Sequence, residues 1–474
     1  MATKRKLLLT YPNQRWQKDD ANTVWDMNPA TLCLLGTVVT DIVDVKVVDA
    51  QFYNMSQESF AEEIRNFHPD FVGISVMSSE YREILDIAAE IIKNIDPNII
   101  VIAGGVHVTT SYEYVVKNEN IDYCVRGEGE YTLRELLKHL VGEGEFPKEG
   151  LVFMKSGTMI AQNHVLVQDV SKLPWPAYDL VDFKAYVEKP PRPGPGGPAL
   201  LPYTRMVTTR GCPFDCSFCQ VAFISGKPVR ARSADDVVNE LEFLKENYGI
   251  KSILFEDDNL LMAKKYTREL FSLMIRRNLN LKWFGSAFAL WCLNDEVLDL
   301  MRDSGCIGIN IAIESGNERV LRDIVHKPIK DLKRVPEIIE KVKSRGMFCI
   351  SNFIIGFPGE TWEEVRETIN FAEHCGSEYV KFFIAVPLYG TEMYHIAKRM
   401  NLLTHNDEYP RIDWRYSQIK SDEWTTKDIS ILRAYEWDRI NFSKDRIGRT
   451  AEIWRMSIDD LNIIRKRTRD SLTF

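Results

Sequence analysis

The chain has 474 residues, enough for two or three domains with cores of their own. Its 45% hydrophobic and 27% charged residues are ordinary for a globular protein, and a net charge of −8 gives no hint of a nucleic-acid partner. No apolar run approaches the length of a membrane span, and Leu7-Leu-Leu9, following Met1-Ala-Thr-Lys-Arg-Lys6, is too short for a signal-peptide core.

Residues 1–145 alternate between strand and helix patterns. Strand-like runs fall at 7–10, 45–49, 71–76, 99–103 and 123–126, with helical stretches that include 57–67 and 80–95. The alternation predicts an open, doubly wound, Rossmann-like sheet with its ligand at the carboxyl edge. Residues at those strand ends are small: Gly73-Ile-Ser75, Gly104-Gly-Val-His107 and Gly127-Glu-Gly-Glu130. Gly104 and Gly105 would let a bulky ligand come close to the backbone. Residues 146–202 read as a connecting segment. It ends in Lys189-Pro-Pro-Arg-Pro-Gly-Pro-Gly-Gly-Pro198, which can be neither a helix nor a central strand and reads as a linker.

From 203 to 395 the period switches six times between strand and helix. Strands are expected at 206–209, 252–256, 282–286, 307–314, 348–355 and 379–385. The clearest helix opens at Ser233 as N-cap, carries Asp235 and Asp236 in its first turn, shows one face with Val237, Leu241 and Leu244, and stops at Gly249. Six βα units imply a parallel sheet whose site lies at the strand C-termini.

The loop after the first of these strands reads Arg210-Gly-Cys-Pro-Phe-Asp-Cys-Ser-Phe-Cys219. Cys212, Cys216 and Cys219 offer three thiolates, where a [4Fe–4S] cube normally takes four, so one iron is left for a non-protein ligand. The loop is short enough to keep all three sulfurs within reach of one cluster, since each residue spans at most about 3.5 Å. Zinc would call for a second CxxC knuckle, and none follows: Cys292, Cys306, Cys349 and Cys375 are isolated. Unpaired cysteines and an oxygen-sensitive cluster point to a reducing cytoplasm.

Other strand ends carry polar elements too: Glu256-Asp-Asp-Asn259, Ile313-Glu-Ser-Gly316 and Gly356-Phe-Pro-Gly-Glu360. Each has a structural alternative, with Asp257 or Asp258 as a helix cap and Glu314 as a solvated strand end. Residues 396–474 are polar and helical in pattern, with Trp414, Trp424, Trp437 and Trp454 expected to pack the tail onto the barrel. Arg465-Lys-Arg-Thr-Arg469 reads as a solvated helix face.

The CxxxCxxC loop is identified as the signature of the radical S-adenosylmethionine (SAM) superfamily, and the resemblance covers about residues 5–395. It implies a (βα)6 partial barrel at 203–395, with a helical region at 396–474. By that resemblance Cys212, Cys216 and Cys219 bear the cluster, SAM chelates the fourth iron, and Phe218, Glu256, Glu314 and Gly356 contact SAM. Ile313-Glu-Ser-Gly316 is similar to the family's "GIES" element and Gly356–Glu360 to its "GxPGET" turn, whereas Gly285-Ser-Ala-Phe-Ala289 departs where many relatives carry an arginine. The first 145 residues resemble the cobalamin-binding domain of one radical SAM class, through Asp70-Phe-Val-Gly-Ile-Ser75, Gly104-Gly-Val-His107 and Asp122–Glu130. Ser75, Gly104 and Gly105 are then the cobalamin contacts. The DxHxxG motif that supplies a lower histidine to cobalt is absent, the sequence there being Tyr11-Pro-Asn-Gln-Arg15, so His107 is not a ligand by analogy. The class implies methylation of an unactivated carbon of a small molecule or natural product, with a 5′-deoxyadenosyl radical and methylcobalamin, and an electron donor such as flavodoxin or ferredoxin. Ring-forming, ring-contracting or deoxygenating relatives, and a non-catalytic sensor, are the alternatives. The SAM-facing strand ends argue against the sensor.

Overall fold

The computed structural model describes residues 4–17, 28–77, 82–191, 197–404 and 412–472. The chain divides into two units, Met1–Phe183 with Phe223–Ser225, and Lys184–Ala222 with Gly226–Phe474. The Pro/Gly linker falls partly outside the described residues, as does the start of the helix expected at 80–95.

The first unit is built on strands β1 (Lys6–Tyr11), β2 (Asp44–Asp49), β3 (Phe71–Ser75), β4 (Ile100–Gly104), β5 (Tyr123–Val125), β6 (Leu151–Lys155) and β7 (Thr158–Ala161), in the order β2-β1-β3-β4-β5-β6-β7. The first five are parallel, and their order reverses between β1 and β3, the switch point at which doubly wound sheets bind ligands. Consecutive apolar residues such as Leu7, Leu8 and Leu9 occur because helices cover both faces, Leu8 packing into one core and its neighbours into the other. The antiparallel hairpin β6–β7 lies inside what reads as connecting segment. Its turn is Ser156-Gly157, both at positive φ, which suits a two-residue hairpin. With the hairpin paired to β5, residues 146–183 join the first unit rather than a linker.

The second unit carries β8 (Tyr203–Met206), the short antiparallel pair β9 (Thr209–Arg210) and β10 (Arg230–Ala231), then β11 (Ser252–Phe255), β12 (Lys282–Phe288), β13 (Cys306–Glu314), β14 (Phe348–Ile355) and β15 (Tyr379–Ile384). Six of them form one parallel sheet in the order β15-β14-β13-β12-β11-β8, each strand beside its predecessor in the chain, as a partial barrel requires. The helix Ala234–Tyr248 begins and ends as its sequence predicts: the Ser233 hydroxyl accepts the Asp236 N–H, and Gly249 closes it at φ +65°.

Side chains alternate between the two faces, apart from register shifts in β12 and β13. Trp283 stacks on Phe271 and Phe353 meets Phe371, so these residues point outward to the helices. The opposite set, Tyr203, Leu254, Phe284, Phe348, Ile350 and Tyr379, shares one inner cluster with Ile453 and Trp454 from the tail helix Ile447–Trp454. Trp437 packs on the same cluster and donates to the Tyr379 hydroxyl, so these two tail tryptophans do pack on the barrel. Arg465 is not simply solvated, because it forks onto Asp438 of the helix Thr426–Asn441 at 2.6 and 3.0 Å.

An edge strand needs its outward backbone groups covered. Asn441, fully buried, does this for β15: its Oδ1 accepts the Val380 N–H and its Nδ2 donates to the Val380 carbonyl, both at 2.8 Å. Asn441→Ala is expected to cost about 3 kcal/mol, because two bonds go and a buried N–H and C=O are left bare. Urea denaturation followed by tryptophan fluorescence measures this; a variant as stable as the parent would mean that water replaces the amide.

Candidate functional site

β8 stops at Met206, three residues before the strand end read from the sequence, and Asp257 is the reason. One oxygen of its carboxylate accepts the Thr208 N–H at 2.9 Å, the Thr208 and Thr209 hydroxyls at 2.8 and 2.7 Å, and the Thr209 N–H, which draws both residues out of the ladder. Asp258 takes the Gly211 N–H at 2.8 Å. Gly211 sits at φ +96°, where an added Cβ would lie 2.3 Å from the Pro228 carbonyl oxygen, so only glycine fits. The two aspartates thus cap the start of the cysteine loop rather than a helix.

The rest of the loop is pinned from other elements. Cys212 N–H reaches the Gly226 carbonyl, Ser217 binds the Ile324 and Val325 carbonyls through its hydroxyl and N–H, and the Met393 N–H donates to the Ser217 carbonyl. Two donors aim at sulfur: Asn259 Nδ2 at Cys212 Sγ (3.6 Å) and the Val221 N–H at Cys219 Sγ (3.5 Å). Such donors tune sulfur bound to iron. All nine cysteines are free, and only Cys212, Cys216 and Cys219 are not fully buried. Burial pushes Cys216 to about 12 and Cys219 to about 11, so ionised sulfur here calls for a cation at its side. Among the described residues no three His, Cys, Asp or Glu side chains converge tightly enough for a single metal ion. A cube that takes one sulfur per iron does not require that convergence, and the donor set fits it.

Glu314 ends β13 at φ +74°, after a register shift between Ala312 and Glu314. Its carboxylate is not solvated: it meets Lys327 Nζ at 2.7 Å, with the two side chains 8% and 7% exposed. Lys327 favours and Glu314 opposes an ionised Cys216, which places the pair beside the thiols. Lys327 was not legible as a site residue, since no spacing rule links it to β13.

Phe218 leans on Phe357, with ring centroids 6.1 Å apart, in an apolar cluster that includes Ile354, Ala385 and Met393. Gly356, at φ +85°, gives its N–H to Glu360 at 2.7 Å, and Phe357 does the same at 3.0 Å. Burial pushes the Glu360 carboxyl up to about 8. Phe218 and Gly356 therefore come together through Phe357, with Glu360 holding the turn. Glu256 pairs with Arg205 at 3.0 Å, and its N–H reaches the carbonyl of Met206 at the end of β8.

In the first unit Ser75 and Gly104 are register partners at the C-terminal ends of β3 and β4. A Cβ added to Gly104 meets nothing within 4 Å, whereas one on Gly105 would lie 2.6 Å from the Val76 carbonyl oxygen and 3.0 Å from Ser75 Oγ. The three residues form an edge with open space over Gly104, which suits a large flat ligand. His107 is buried in the helix Val106–Val115 and burial holds it near 3, neutral. It has the character of a core residue.

Two family models match the chain, the radical SAM superfamily over residues 206–372 and the B12 binding domain over residues 21–137. The uncharacterized methyltransferase PH0819 of Pyrococcus horikoshii is 33% identical over 412 residues, 85% of each chain. The cytidylyl-2-hydroxyethylphosphonate methyltransferase of Streptomyces wedmorensis is 28% identical over 449 residues, 86% of this chain and 82% of that one. Among solved structures, the radical SAM methyltransferase TsrM from Kitasatospora setae with cobalamin and a [4Fe-4S] cluster bound shares the fold, with a TM-score of 0.71 at 19% identity over 86% of this chain and 82% of that one.

Proposed function

The chain belongs to the radical SAM superfamily, in the class that carries a B12-binding domain, and from that premise we propose that it moves a methyl group from SAM to an unactivated carbon of a small molecule. The observation that carries the reading is the three-thiol loop at the C-terminal end of β8, with hydrogen-bond donors aimed at its sulfurs, in a chain that also holds a B12-binding sheet. Bound there, a [4Fe–4S] cluster supplies single electrons to SAM and cobalamin supplies a transferable methyl group.

The chain's own residues bind, orient and exclude water. Cys212, Cys216 and Cys219 hold the iron, and Asn259 with the Val221 N–H steadies two of the sulfurs. Lys327 adds positive charge beside Cys216, and Glu314 fixes that ammonium while offering a carboxylate to the cationic cosubstrate. Phe218, Phe357 and Ile354 give an apolar shelf for an adenine ring. Glu256, tied to Arg205 at the end of β11, offers SAM a further polar contact. Ser75, Gly104 and Gly105 receive the corrin edge. A ferredoxin or flavodoxin supplies the electrons. The relative acting, by its name, on a hydroxyethylphosphonate conjugate supports a small, polar substrate.

The test is anaerobic incubation of reduced, cobalamin-supplied protein with methyl-labelled SAM and a small-molecule extract. Label should enter a product, with 5′-deoxyadenosine and S-adenosylhomocysteine formed in equal amounts. Deoxyadenosine with neither label nor the homocysteine by-product would show ring formation or deoxygenation instead.

A further inference from the structure

The cysteine loop comes to the surface at its tip. Phe214, midway between Cys212 and Cys216, is half-buried, and its ring meets Trp291 edge-on with centroids 4.9 Å apart. Trp291 leaves 37% of its surface exposed. Beside it opens a cleft of about 80 Å³ whose apolar walls include Leu261, Phe271, Trp291 and Val297. Leu261 stands two residues after Asn259, whose amide points at Cys212 Sγ from 3.6 Å. The cleft therefore adjoins the thiol loop twice, through Trp291 with Phe214 and through Asn259. Holding iron calls for neither an indole turned to water nor a cleft at its side, whereas protein–protein contacts centre on such groups.

Once local ion pairs are cancelled, the charge around the cleft is positive. Lys264 and Arg268 line it, and Lys265 is exposed next to Lys264 at the start of the helix Lys264–Arg276. Arg268 is balanced by Glu296 at 2.8 Å, and Asp215 at the loop tip by Lys227 at 2.8 Å. Asp295, beside the cleft residue Asn294, is held by Lys341 at 2.9 Å and Arg345 at 3.0 Å. Glu269, one turn along the same helix, sets one exposed negative charge against the two lysines. The helix starts at Ala263 with no side chain capping it, so its dipole adds to the lysine charge. Cations at that end of a helix are locally unfavourable, and acidic groups laid over them remove the penalty. The whole chain carries −8, which makes this positive face a local exception.

We propose that this face, the cleft with Phe214, Trp291, Lys264 and Lys265, is where an acidic one-electron carrier protein of the flavodoxin kind docks to reduce the cluster. Carboxylates on the carrier meet the two lysines and the bare helix start. A flavin suits the aromatic pair, because its flat apolar edge covers the indole at the point nearest the thiol loop. In the transfer the carrier's flavin hydroquinone loses one electron and the cluster gains it, passing from the 2+ to the 1+ level. No bond forms or breaks, and the carrier leaves with its flavin oxidised by one electron. The inference rests on the radical SAM reading, because it names the partner that feeds that same cluster.

The experiment mixes anaerobic, cluster-loaded protein with reduced flavodoxin in a stopped-flow instrument and follows bleaching of the cluster absorbance. Dithionite, a small reductant that needs no docking face, is the control. Flavodoxin should reduce the parent about tenfold faster at low salt than at high salt. Lys264→Glu combined with Lys265→Glu should slow it about tenfold or more at low salt and remove most of the salt dependence. Trp291→Ala should slow it about fivefold. With dithionite these variants should stay within about twofold of the parent, and Lys466→Glu on the tail helix should match the parent with both reductants. Iron content and melting temperature check folding; should Trp291→Ala fail to fold, the lysine variant, altered only at exposed positions, carries the comparison. Salt-independent reduction of the parent by flavodoxin, unchanged rates in the folded variants, or an equal loss with dithionite would overturn the proposal, the last by showing that these residues act on the cluster itself. A parent that methylates with dithionite but takes no electron from flavodoxin would remove the docking face and leave methyl transfer standing.

Discussion

Replacing Cys212, Cys216 and Cys219 together by alanine is expected to take anaerobically purified protein from about four irons per chain to less than about one. The expectation follows from the donors available. The other six cysteines are buried and scattered through both units, with no two at ligand spacing, and no tight group of three metal-binding side chains occurs among the described residues. The loop itself should survive the change, because its position depends on Asp257, Asp258 and Ser217 rather than on the thiols. Iron and sulfide analysis with electron paramagnetic resonance of the reduced protein decides the matter. Four irons retained by the triple variant would sink the assignment.

The second large effect is expected at Glu314. Alanine there strands the Lys327 ammonium in a site where both side chains are more than nine-tenths buried, and breaking such a pair from one side costs about 3–5 kcal/mol. Pairing Glu314→Ala with Lys327→Met should recover most of that stability, since two neutral side chains of fitting volume need no partner. SAM affinity separates two roles for the carboxylate. A direct contact to SAM means that affinity falls in Glu314→Ala and stays low in the double variant. A purely ion-pairing role means that affinity returns with stability. Chemical denaturation and equilibrium dialysis with labelled SAM provide the two readouts. A single variant as stable as the parent would show that Lys327 simply moves to water.

The sequence discloses a feature when chemistry forces close spacing. Cysteines at 212, 216 and 219 are such a case, as is the helix bounded by Ser233 and Gly249, whose cap and stop are local. Partners supplied by distant segments stay hidden. Lys327 reaches Glu314 only because β13 ends at positive φ, and Asn259 reaches Cys212 across two strand ends. The early end of β8 was equally unreadable: 206–209 has good strand composition, and only the side chain of Asp257 diverts it. The β6–β7 hairpin did leave a signal, the Ser156-Gly157 turn, outweighed by the expectation of a linker. Asn310 and Asn352 carried no signal of their own, because polar residues within a strand usually mark its solvent-facing side. In a barrel covered by helices the only wet or ligand-facing side is the interior, which inverts the usual inference.

Asn441 seals the edge of β15 and Trp454 lies under Lys381, yet both are made after every barrel strand has left the ribosome. At about 5–20 residues per second, the stretch from Ile384 to Trp454 takes on the order of several seconds to appear. Throughout that interval the nascent barrel shows an unpaired parallel edge and an interior with no floor. Strand edges of this kind recruit other chains. Yield in a host should therefore depend on how fast the last helices are translated, and slow codons placed after residue 384 should send the protein into inclusion bodies while leaving the sequence itself unaltered.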